Sequence, residues 1–404
     1  MYNKGMFQNY LNKYSNLLVL DIGTASISAA LIKKHISPEH EKTEKTEILK
    51  VLRYPLNLFG YTLGSDSAGR LPFIFKDTFL KAFKEAGGIT RKIDYVLVGL
   101  AEPFFLKESI TKSFDRPKPE EGFERDELKQ LLKNLEEDAI SQLDGAHKNL
   151  VVVDSRLTAS LVNGYEVADP IGYKGKSIEL GAEFTLINAA LKDYIYTARE
   201  QYAPMSKMLY FADSDVIRKA LKATENVSDG ALVFDIGGEV TSAFFITDSD
   251  KNTGWHGTYA FGIKTVERRL GAHLKTDVAE VESMLKRYSA GTLEESLRSN
   301  IDKALQPALL DWWIEFQKLL KRLDKEKFFA SSSGHVAKKI IVTGGGSDVG
   351  IFSKFIADSF KSGYDIEISL ENLRSEAFKD FFATPFIFSG GSDIILTSLP
   401  IFGL

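Results

Sequence analysis

Two stretches of the chain repeat one pattern whose residue types could bind phosphate. Residues 18–28 are LVLDIGTASIS and residues 233–242 are VFDIGGEVTS, so in each an apolar run precedes Asp-Ile-Gly and small or hydroxyl residues follow. A glycine turn between two strands leaves backbone N–H groups unpaired, and without a Cβ an oxyanion can approach them closely. The pattern therefore predicts two phosphate-binding turns, with the candidate ligands Gly23, Thr24, Gly237, Gly238 and Thr241.

An aspartate stands at the start of each turn, Asp21 in the first and Asp235 in the second. A carboxylate repels a bare phosphate. It fits a phosphate site when a cation such as Mg²⁺, which usually keeps several of its waters, lies between the two. We therefore expect Asp21 and Asp235 to face each other across one crevice and to hold Mg²⁺ through water, together with a nucleotide.

A third glycine-containing stretch follows a buried-strand pattern. Residues 338–352 are KKIIVTGGGSDVGIF, and Gly344, Gly345 and Gly346 would let the backbone pass close to the adenine and ribose of a nucleotide. A single Asp-Ile-Gly is most often an ordinary hairpin turn, and a glycine run after a strand is often only a loop. The three stretches in this order, however, indicate a nucleotide site.

Hydrophobic patterns predict the elements that must position these turns. Leu17–Leu20 and Ile27–Ile32 are apolar runs on either side of the first turn, which predicts a β-hairpin. Apolar residues at helical spacing predict a helix over 73–86 that ends at Gly87 and Gly88. Further strands are expected at 95–100, 231–246 and 339–343, and helices in 115–140 and 266–323. Mixed strands and helices indicate an α/β architecture.

The composition is that of an ordinary globular protein and excludes several function classes. With 404 residues the chain exceeds what one hydrophobic core usually serves, so two or more domains are expected. The net charge of -4 does not favour nucleic acid as a partner. Cysteine is absent, which excludes disulfides, thiolate catalysis and cysteine-ligated zinc. No apolar run reaches the roughly 20 residues of a membrane span, and the N-terminus lacks the apolar core of a secretory signal, so we expect a soluble protein. The absence of cysteine fits a reducing, cytoplasmic compartment.

Two other groups of residues have simpler expected roles. Trp312 and Trp313 are neighbours in a helical pattern, and adjacent helix positions face different sides. We therefore expect one of them in the core and the other at an interface. The six histidines are scattered without metal-ligand spacing, so no histidine is assigned a chemical role.

The three glycine-containing stretches resemble, in the same order, the phosphate-1, phosphate-2 and adenosine motifs of the actin-like ATPase superfamily. The resemblance extends over essentially the entire chain. Within this superfamily the chain is similar to the bacterial cell-division FtsA family. NGYEVADPIGYKGKSIEL at 163–180 resembles the FtsA stretch that ends its inserted domain, and residues 261–291 resemble the turn and helices that follow phosphate-2.

The resemblance implies an actin-like α/β fold, in which two ribonuclease H-like domains flank a nucleotide cleft and a small α/β domain is inserted in the first lobe. The ligand would be ATP or ADP with Mg²⁺, and Glu282 matches the family's glutamate on the helix near the ribose. The implied boundaries are 1–84 and 171–200 for lobe I, 85–170 for the inserted subdomain, 201–246 and 331–404 for lobe II, and 247–330 for the helical subdomain of lobe II.

The chain departs from the family pattern at three places. In phosphate-1, Ala25-Ser26 lacks the lysine that FtsA often has there. In phosphate-2, Glu239 replaces a glycine and Ser242 replaces an acid that could position hydrolytic water. A carboxylate inside a phosphate turn disfavours a polyphosphate unless it points away or helps to hold the metal. On the 279–288 helix, Leu285 replaces the family's lysine, and Lys286 lies one step further, about 100° around the helix. We therefore expect nucleotide binding with weak hydrolysis at most.

Resemblance to FtsA implies self-association into filaments and a link between the C-terminal tail of a tubulin-like division protein and the membrane. The final residues, SDIILTSLPIFGL, are more typical of a last buried element of lobe II than of FtsA's amphipathic membrane anchor. Residues 1–14 have an amphipathic, mildly cationic pattern that could lie on the inner face of an anionic membrane. Packing of these residues on their own domain or on a neighbouring subunit is the alternative.

Two other functions stay open at this point. A type IV pilus adaptor resembling PilM would share the fold and the motifs, although PilM-like chains are usually shorter. Its partner would be a short peptide from a pilus inner-membrane protein. A small-molecule kinase of the same superfamily would need a catalytic acid in the cleft, and the sequence alone does not identify one.

Overall fold

The structure is a computed structural model that describes residues 14–35, 45–58, 74–143, 149–224, 227, 230–246, 256–322, 339–364, 368–383 and 385–403. Both strands and helices form within these ranges, as the hydrophobic patterns predict. Membrane contact is predicted for residues 1–14, and of these only residue 14 lies within the described ranges. No helix in these ranges is long and apolar enough to cross a membrane.

The strands are β1 (Tyr14–Ile22), β2 (Ser26–His35), β3 (Glu47–Pro55), β4 (Tyr95–Leu100), β5 (Phe105–Asp115), β6 (Leu150–Val162), β7 (Tyr165–Glu166), β8 (Ser177–Asn188), β9 (Lys207–Ala212), β10 (Ala231–Ile236), β11 (Thr241–Ile246), β12 (His256–Tyr259), β13 (Lys339–Thr343) and β14 (Ser369–Asn372). The α-helices are α1 (Ile74–Ile89), α2 (Arg125–Ser141), α3 (Ala189–Tyr202), α4 (Asp213–Thr224), α5 (Ile263–Leu274), α6 (Val278–Ser289), α7 (Glu295–Arg322), α8 (Ile351–Tyr364) and α9 (Ile394–Phe402). Short 3-10 helices occur at Gly345–Val349 and Ser375–Phe381.

Two five-stranded sheets share one topology. The first has the order β3-β2-β1-β4-β9 and the second β12-β11-β10-β13-β14. In each sheet the first three strands of the chain pair antiparallel and the last two are parallel to the first. The predicted hairpin is confirmed, with Ile22 opposite Ile27. The Asp-Ile-Gly pattern occurs twice because it ends the first strand of each sheet.

One hydrophobic core joins the two sheets. Helices α4 and α9 lie between the sheets, and α9 packs against α4 and β1. All six residues of β4 are buried, as is usual for a parallel strand with both faces covered. The end of the chain is therefore a buried element, but it contacts the first sheet directly. This core includes Val19, Leu97, Ile217, Val233, Ile341 and Leu396.

The outer face of each sheet has its own core. Helices α1 and α3 cover the first sheet, and α5 to α8 cover the second. In the second, Trp312 is fully buried, with its ring centroid 5.5 Å from that of Phe234 and 5.2 Å from that of Phe352. The expectation of an interface tryptophan is wrong, since Trp313 is only 5% exposed and packs 5.2 Å from Phe360. Helix α7 is covered on two sides, by the sheet and by α8, so adjacent positions are both buried.

A third sheet, with the order β5-β8-β6-β7, forms a subdomain inserted between β4 and α3. Helix α2 packs on it through Leu128 and Leu135, which join a core with Leu180 and Phe184. This small α/β unit adjoins the first sheet, because the chain passes from β4 to β5 within four residues and from β8 directly into α3.

Strand pairing differs from the implied boundaries at three places. Residues 95–100 were expected in the inserted subdomain, but β4 pairs with β1 in the first sheet. Residues 177–188 were expected in lobe I, but β8 pairs with β5 and β6. Residues 207–212 were expected in lobe II, but β9 pairs with β4. A sequence motif indicates roughly where a domain boundary lies, whereas hydrogen bonding between distant strands determines the position of that boundary.

Helix α1 does not end at the glycine pair. It continues through Gly87 and Gly88 to Ile89, and the N–H of Thr90 still donates to the carbonyl of Ala86 at 3.1 Å. Both glycines keep helical backbone angles, so the continuous hydrogen-bond ladder outweighs their low helix propensity.

Candidate functional site

The two Asp-Ile-Gly turns face each other and touch. Each is closed in the same way: the N–H of Gly23 donates to the carbonyl of Ser26 at 3.0 Å, and that of Gly237 to the carbonyl of Val240 at 2.9 Å. The N–H of Glu239 then donates to Thr24 Oγ1 at 2.9 Å. The structure thus brings together the two turns that the sequence places 214 residues apart.

The second turn is held from behind by α5. Its first N–H groups, on Ile263 and Lys264, donate to the carbonyls of Gly237 and Gly238 at 3.0 and 2.8 Å. A side chain at Gly238 is not tolerated, because an added Cβ would lie 2.6 Å from the Cβ of Ala25. Glycine is therefore required here by the close approach of the two turns. With its carbonyls bound to α5, this turn has a fixed backbone.

Asp21 and Asp235 lie at the ends of β1 and β10, each partly exposed. Burial, together with the nearby charges of Asp235 and Asp393, raises the pKa of Asp21 to about 8. Burial and the charge of Glu102 raise the pKa of Asp235 to about 6, against the opposing effect of His256. The carboxylate of Asp235 is therefore close enough to that of Asp21 to repel it, beside the contact between the two turns; the acidic region at this contact is called the crevice below.

Asp393, which also lies near Asp21, is paired with Arg53 at 2.5 Å. Two further acids approach the same place. Asp213, the first residue of α4, is 4% exposed, and its Oδ1 has no hydrogen-bond partner among the residues described. Burial and the charges of Asp21, Asp235 and Glu102 raise its pKa well above the ordinary value. Four carboxylates thus converge from β1, β10, α4 and the loop after β4. Such a cluster favours a bound cation or proton, because either would relieve the repulsion.

Glu102 connects the two lobes beside this cluster. Its Oε2 accepts a hydrogen bond from Ser242 Oγ at 3.1 Å, and its Oε1 lies 2.9 Å from His256 Nε2. Glu102 follows β4 in the first lobe, whereas Ser242 and His256 are on β11 and β12 of the second. Ser242 is therefore bound to an acid supplied by the other lobe.

The departure at Glu239 is compensated within lobe II. Arg268 on α5 donates from both terminal nitrogens to the Glu239 carboxylate, at 2.7 and 2.6 Å. Both side chains are mostly buried, at 28% and 14% exposed. A bidentate guanidinium–carboxylate pair neutralises the charge that would otherwise repel a phosphate.

The third glycine stretch packs against the second turn. Gly344 has a φ of 79°, and an added Cβ would clash with Asp235 Oδ1 and lie 2.7 Å from the carbonyl of Ile236. A left-handed backbone and this close approach both require glycine. Gly345 and Gly346 begin the following 3-10 helix, and the Cβ of a side chain at Gly346 would overlap Ile236.

Glu282 lies on α6, which contacts this 3-10 helix. Its carboxylate is 2.8 Å from Lys286 Nζ and 3.4 Å from Lys264 Nζ. Leu285 is fully buried in the core of lobe II, so its side chain has a packing role. Lys286 reaches the same glutamate from the next helical position.

Thr241 is placed differently from the prediction. Its side chain is fully buried, donates to the carbonyl of Phe261 at 2.6 Å and accepts from Trp312 Nε1 at 3.0 Å. Both hydrogen bonds lie inside lobe II. The Thr241 hydroxyl therefore supports the second turn from within the core.

The site fits a hydrated Mg²⁺ better than a directly ligated metal. The buried, unpaired Asp213 Oδ1 and the converging carboxylates supply the hard oxygen atoms that Mg²⁺ prefers. Within the described ranges, however, no three acidic or histidine side chains are placed to ligate one metal ion. Waters between carboxylates and cation would satisfy both observations.

No protein-family profile matches the chain, and no curated protein sequence is similar to it. The structure, by contrast, is similar to solved structures over nearly its whole length. A chain of the PilM-PilN type IV pilus biogenesis complex superposes with a TM-score of 0.60 at 14% identity, covering 95% of this chain and 97% of that one. The chain has the actin-like fold.

Two other actin-like structures are similar at lower TM-scores. The ethanolamine utilization protein EutJ from Carboxydothermus hydrogenoformans has a TM-score of 0.45 and 11% identity, covering 99% of this chain and 95% of that chain. A chain of the MamK double helical filament has a TM-score of 0.46 and 10% identity, covering 96% and 98%.

Sequence analysis missed four residues that the actin-like fold brings to the crevice: Glu102, Asp213, His256 and Arg268. For the two acids a signal existed, since Asp213 directly follows the apolar strand β9 and Glu102 lies two residues after β4. The carboxyl ends of parallel strands meet at one edge of a sheet. No local pattern links His256 or Arg268 to this edge.

Proposed function

We propose that the chain is an actin-like adaptor that binds ATP or ADP with Mg²⁺ between its two lobes. The contact between the two Asp-Ile-Gly turns, with four carboxylates beside it, supports this most directly. Mg²⁺ supplies positive charge between the carboxylates and the phosphates when bound. The residues proposed to hold the ligand are Gly23, Thr24, Gly237 and Gly238 for phosphate, Asp21 and Asp235 for hydrated Mg²⁺, and Gly344, Gly345, Gly346 and Glu282 for the adenosine.

We infer that hydrolysis is weak or absent. Ser242 stands where the family has an acid, and its hydroxyl donates to Glu102. Arg268 neutralises Glu239, so neither change prevents nucleotide from entering. Nucleotide binding would then determine how the two lobes are positioned relative to each other.

Isothermal titration calorimetry of the full chain with ATP and with ADP, each with Mg²⁺, tests the proposal. Both nucleotides should bind, EDTA should abolish binding, and Asp21→Asn should weaken it at least 10-fold, because one of the carboxylates facing the cation is lost. Asp358→Asn, an exposed change on α8, is the control and should bind like the wild type. Absence of heat with both nucleotides in the presence of Mg²⁺ would overturn the proposal.

For the cellular role we propose first a type IV pilus adaptor like PilM. The structural similarity spans 95% of this chain and 97% of the compared chain, so the two have nearly equal lengths. Length therefore no longer argues against the PilM-like role. The second candidate is an FtsA-like filament that links a tubulin-like division protein to the membrane, supported by the motif resemblance at 163–180 and 261–291.

The two roles differ in their partner. Fluorescence anisotropy with two labelled peptides separates them: a short peptide from a pilus inner-membrane protein and the C-terminal tail of a tubulin-like division protein. Saturable binding of the first peptide supports the pilus role, and binding of the second, with filaments in pelleting assays, supports the division role. Binding of neither peptide would argue against both.

Membrane contact through residues 1–14 stays a separate proposal. Liposome flotation of the full chain and of a chain lacking these residues tests it. Equal flotation of the two on anionic liposomes would rule out a membrane role for this segment.

A further inference from the structure

The first turns of α4 contact three separate parts of the molecule. Asp213, Asp215 and Arg218 lie within six consecutive residues, and their partners are in the acidic crevice, the inserted subdomain and lobe II. Six helical residues span about 8 Å and move nearly as one body. A displacement of any one of these contacts therefore shifts the other two.

At the crevice end, Asp213 lies against β4. An added Cβ at Gly99 would lie 2.9 Å from Asp213 Oδ1, so the absence of a side chain there lets the carboxylate approach the strand. The nearby charges of Asp21, Asp235 and Glu102 act on Asp213. The position of the Asp213 carboxylate thus affects the electrostatic potential at the place where a cation would bind.

Two residues along the chain, Asp215 binds the inserted subdomain. Its Oδ2 is 2.5 Å from Lys107 Nζ on β5, and both side chains are mostly buried, at 25% and 16% exposed. Lys107 Nζ is also 3.4 Å from Glu183 Oε1 on β8, which in turn is 2.9 Å from Arg156 Nη2 on β6. Alternating charges on three strands of the third sheet thus form one network with α4.

The charge of Asp215 is maintained by these partners. Burial would raise the pKa of Asp215, but Lys107 and Arg156 hold it below the ordinary value. A buried ion pair that loses one partner leaves the other charge poorly solvated, so such a contact is broken only at a substantial cost.

Nearly one turn further, Arg218 binds lobe II. Its Nη1 donates to the carbonyl of Phe245 on β11, and its guanidinium lies 4.5 Å from the ring centroid of Phe244. Strand β11 begins at the second phosphate turn and carries Ser242. Helix α4 thus contacts both walls of the crevice as well as the inserted subdomain.

We propose that α4 couples the crevice between the lobes to the inserted subdomain, through Asp213 at one end and the Asp215–Lys107 pair at the other. The inference rests on the proposed nucleotide binding. Lys107 is then a positioning residue: it touches no part of the proposed site but fixes the helix that carries Asp213. By thermodynamic linkage, a macromolecule bound to the inserted subdomain and a nucleotide in the crevice would change each other's affinity by the same factor.

Lys107→Met tests the coupling, with Lys112→Met as the matched control. Lys112 is on the same strand, but its partner, Asp138 at 2.6 Å, belongs to the inserted subdomain itself. Two measurements are made on the full chain: calorimetric affinity for ADP with Mg²⁺, and hydrogen exchange of residues 105–115 and 177–188 with and without that nucleotide. Circular dichroism and thermal melting establish that each variant is folded.

We expect Lys107→Met to weaken nucleotide binding about 2- to 30-fold, the range typical of coupling between distant sites. In the wild type and in Lys112→Met, nucleotide should slow exchange in β5 and β8, and in Lys107→Met this effect should disappear. Lys107→Arg, which keeps the charge, should restore both properties. Wild-type affinity and protection in a folded Lys107→Met would overturn the coupling alone, whereas failure of the wild type to bind nucleotide would overturn the proposed function with it.

Discussion

Replacing Asp235 by asparagine should stabilise the ligand-free protein at neutral pH and remove its response to Mg²⁺-nucleotide. Burial and the charge of Glu102 raise the pKa of Asp235 from 3.8 to about 6. Since the folded state holds this proton more tightly than the unfolded state, the folded state binds more protons between these two values. The contribution of Asp235 to the stability of the wild type should therefore fall as pH rises from about 4 to about 6, and stay low above that range.

The size of this effect follows from the two pKa values. At about 1.4 kcal/mol per pH unit between 3.8 and about 6, the ionised Asp235 costs up to about 3 kcal/mol at pH 7. The side chain keeps part of its surface in water, so this figure is an upper limit. Asparagine keeps the shape without the charge. Below pH 4, where the wild-type carboxyl is protonated, the two proteins should have nearly equal free energies of unfolding.

Urea unfolding at pH 4 and pH 7.5, with and without Mg²⁺-ADP, measures both effects. At pH 7.5 without ligand, Asp235→Asn should be the more stable protein, by up to about 3 kcal/mol. With ligand the order should reverse, because the wild type gains binding free energy that the variant lacks. The exposed change Asp358→Asn should not alter the pH dependence. A lower stability of Asp235→Asn than of the wild type at pH 7.5 without ligand would show that burial and neighbouring charges do not destabilise the ionised Asp235.

Two further substitutions test the glycine contacts and the compensated acid. Gly344→Ala should lower the free energy of unfolding by at least about 1 kcal/mol, measured by urea unfolding, and should weaken nucleotide binding. Both effects are expected because an alanine here would have a left-handed backbone and would clash with Asp235. Gly88→Ala, in a helix with open space around it, should stabilise by about 0.5–1 kcal/mol and bind nucleotide normally, as calorimetry and urea unfolding can check. Arg268→Ala should weaken nucleotide binding because it exposes the charge of Glu239, and Glu239→Gly in the same chain should restore it; equal affinity of Arg268→Ala and the wild type would refute the compensation.

The sequence predicted the parts of the fold that depend on local pattern. The hairpin around Gly23 follows from two apolar runs and one glycine turn, and strand and turn signals of this kind lie within about fifteen residues of each other. The duplicated topology followed from recognising the same turn at Gly237. Strand β13 and the glycine run after it were equally visible, because a buried parallel strand is a continuous apolar run.

What escaped prediction depends on contacts between distant residues. The membership of β9 in the first sheet is fixed by pairing with β4, more than a hundred residues earlier. The burial of Trp313 depends on α8, and the pairing of Glu239 with Arg268 crosses from a turn to a helix. Local propensity carries no information about such partners, so these features are decided by packing.

The acidic residues of the crevice indicate a functional site. Asp21, Asp213, Asp235 and Glu102 repel one another, and the raised pKa values of the three aspartates show that the fold opposes their full ionisation. A chain selected for stability alone would replace at least one of the three aspartates, since each of them costs free energy when it is ionised at neutral pH. Glu239, by contrast, has been given Arg268 as a partner. Local conflicts that persist uncompensated are expected at functional sites. The compensation is therefore expected to come from outside the chain, and the positive charge of the proposed hydrated Mg²⁺ would supply it.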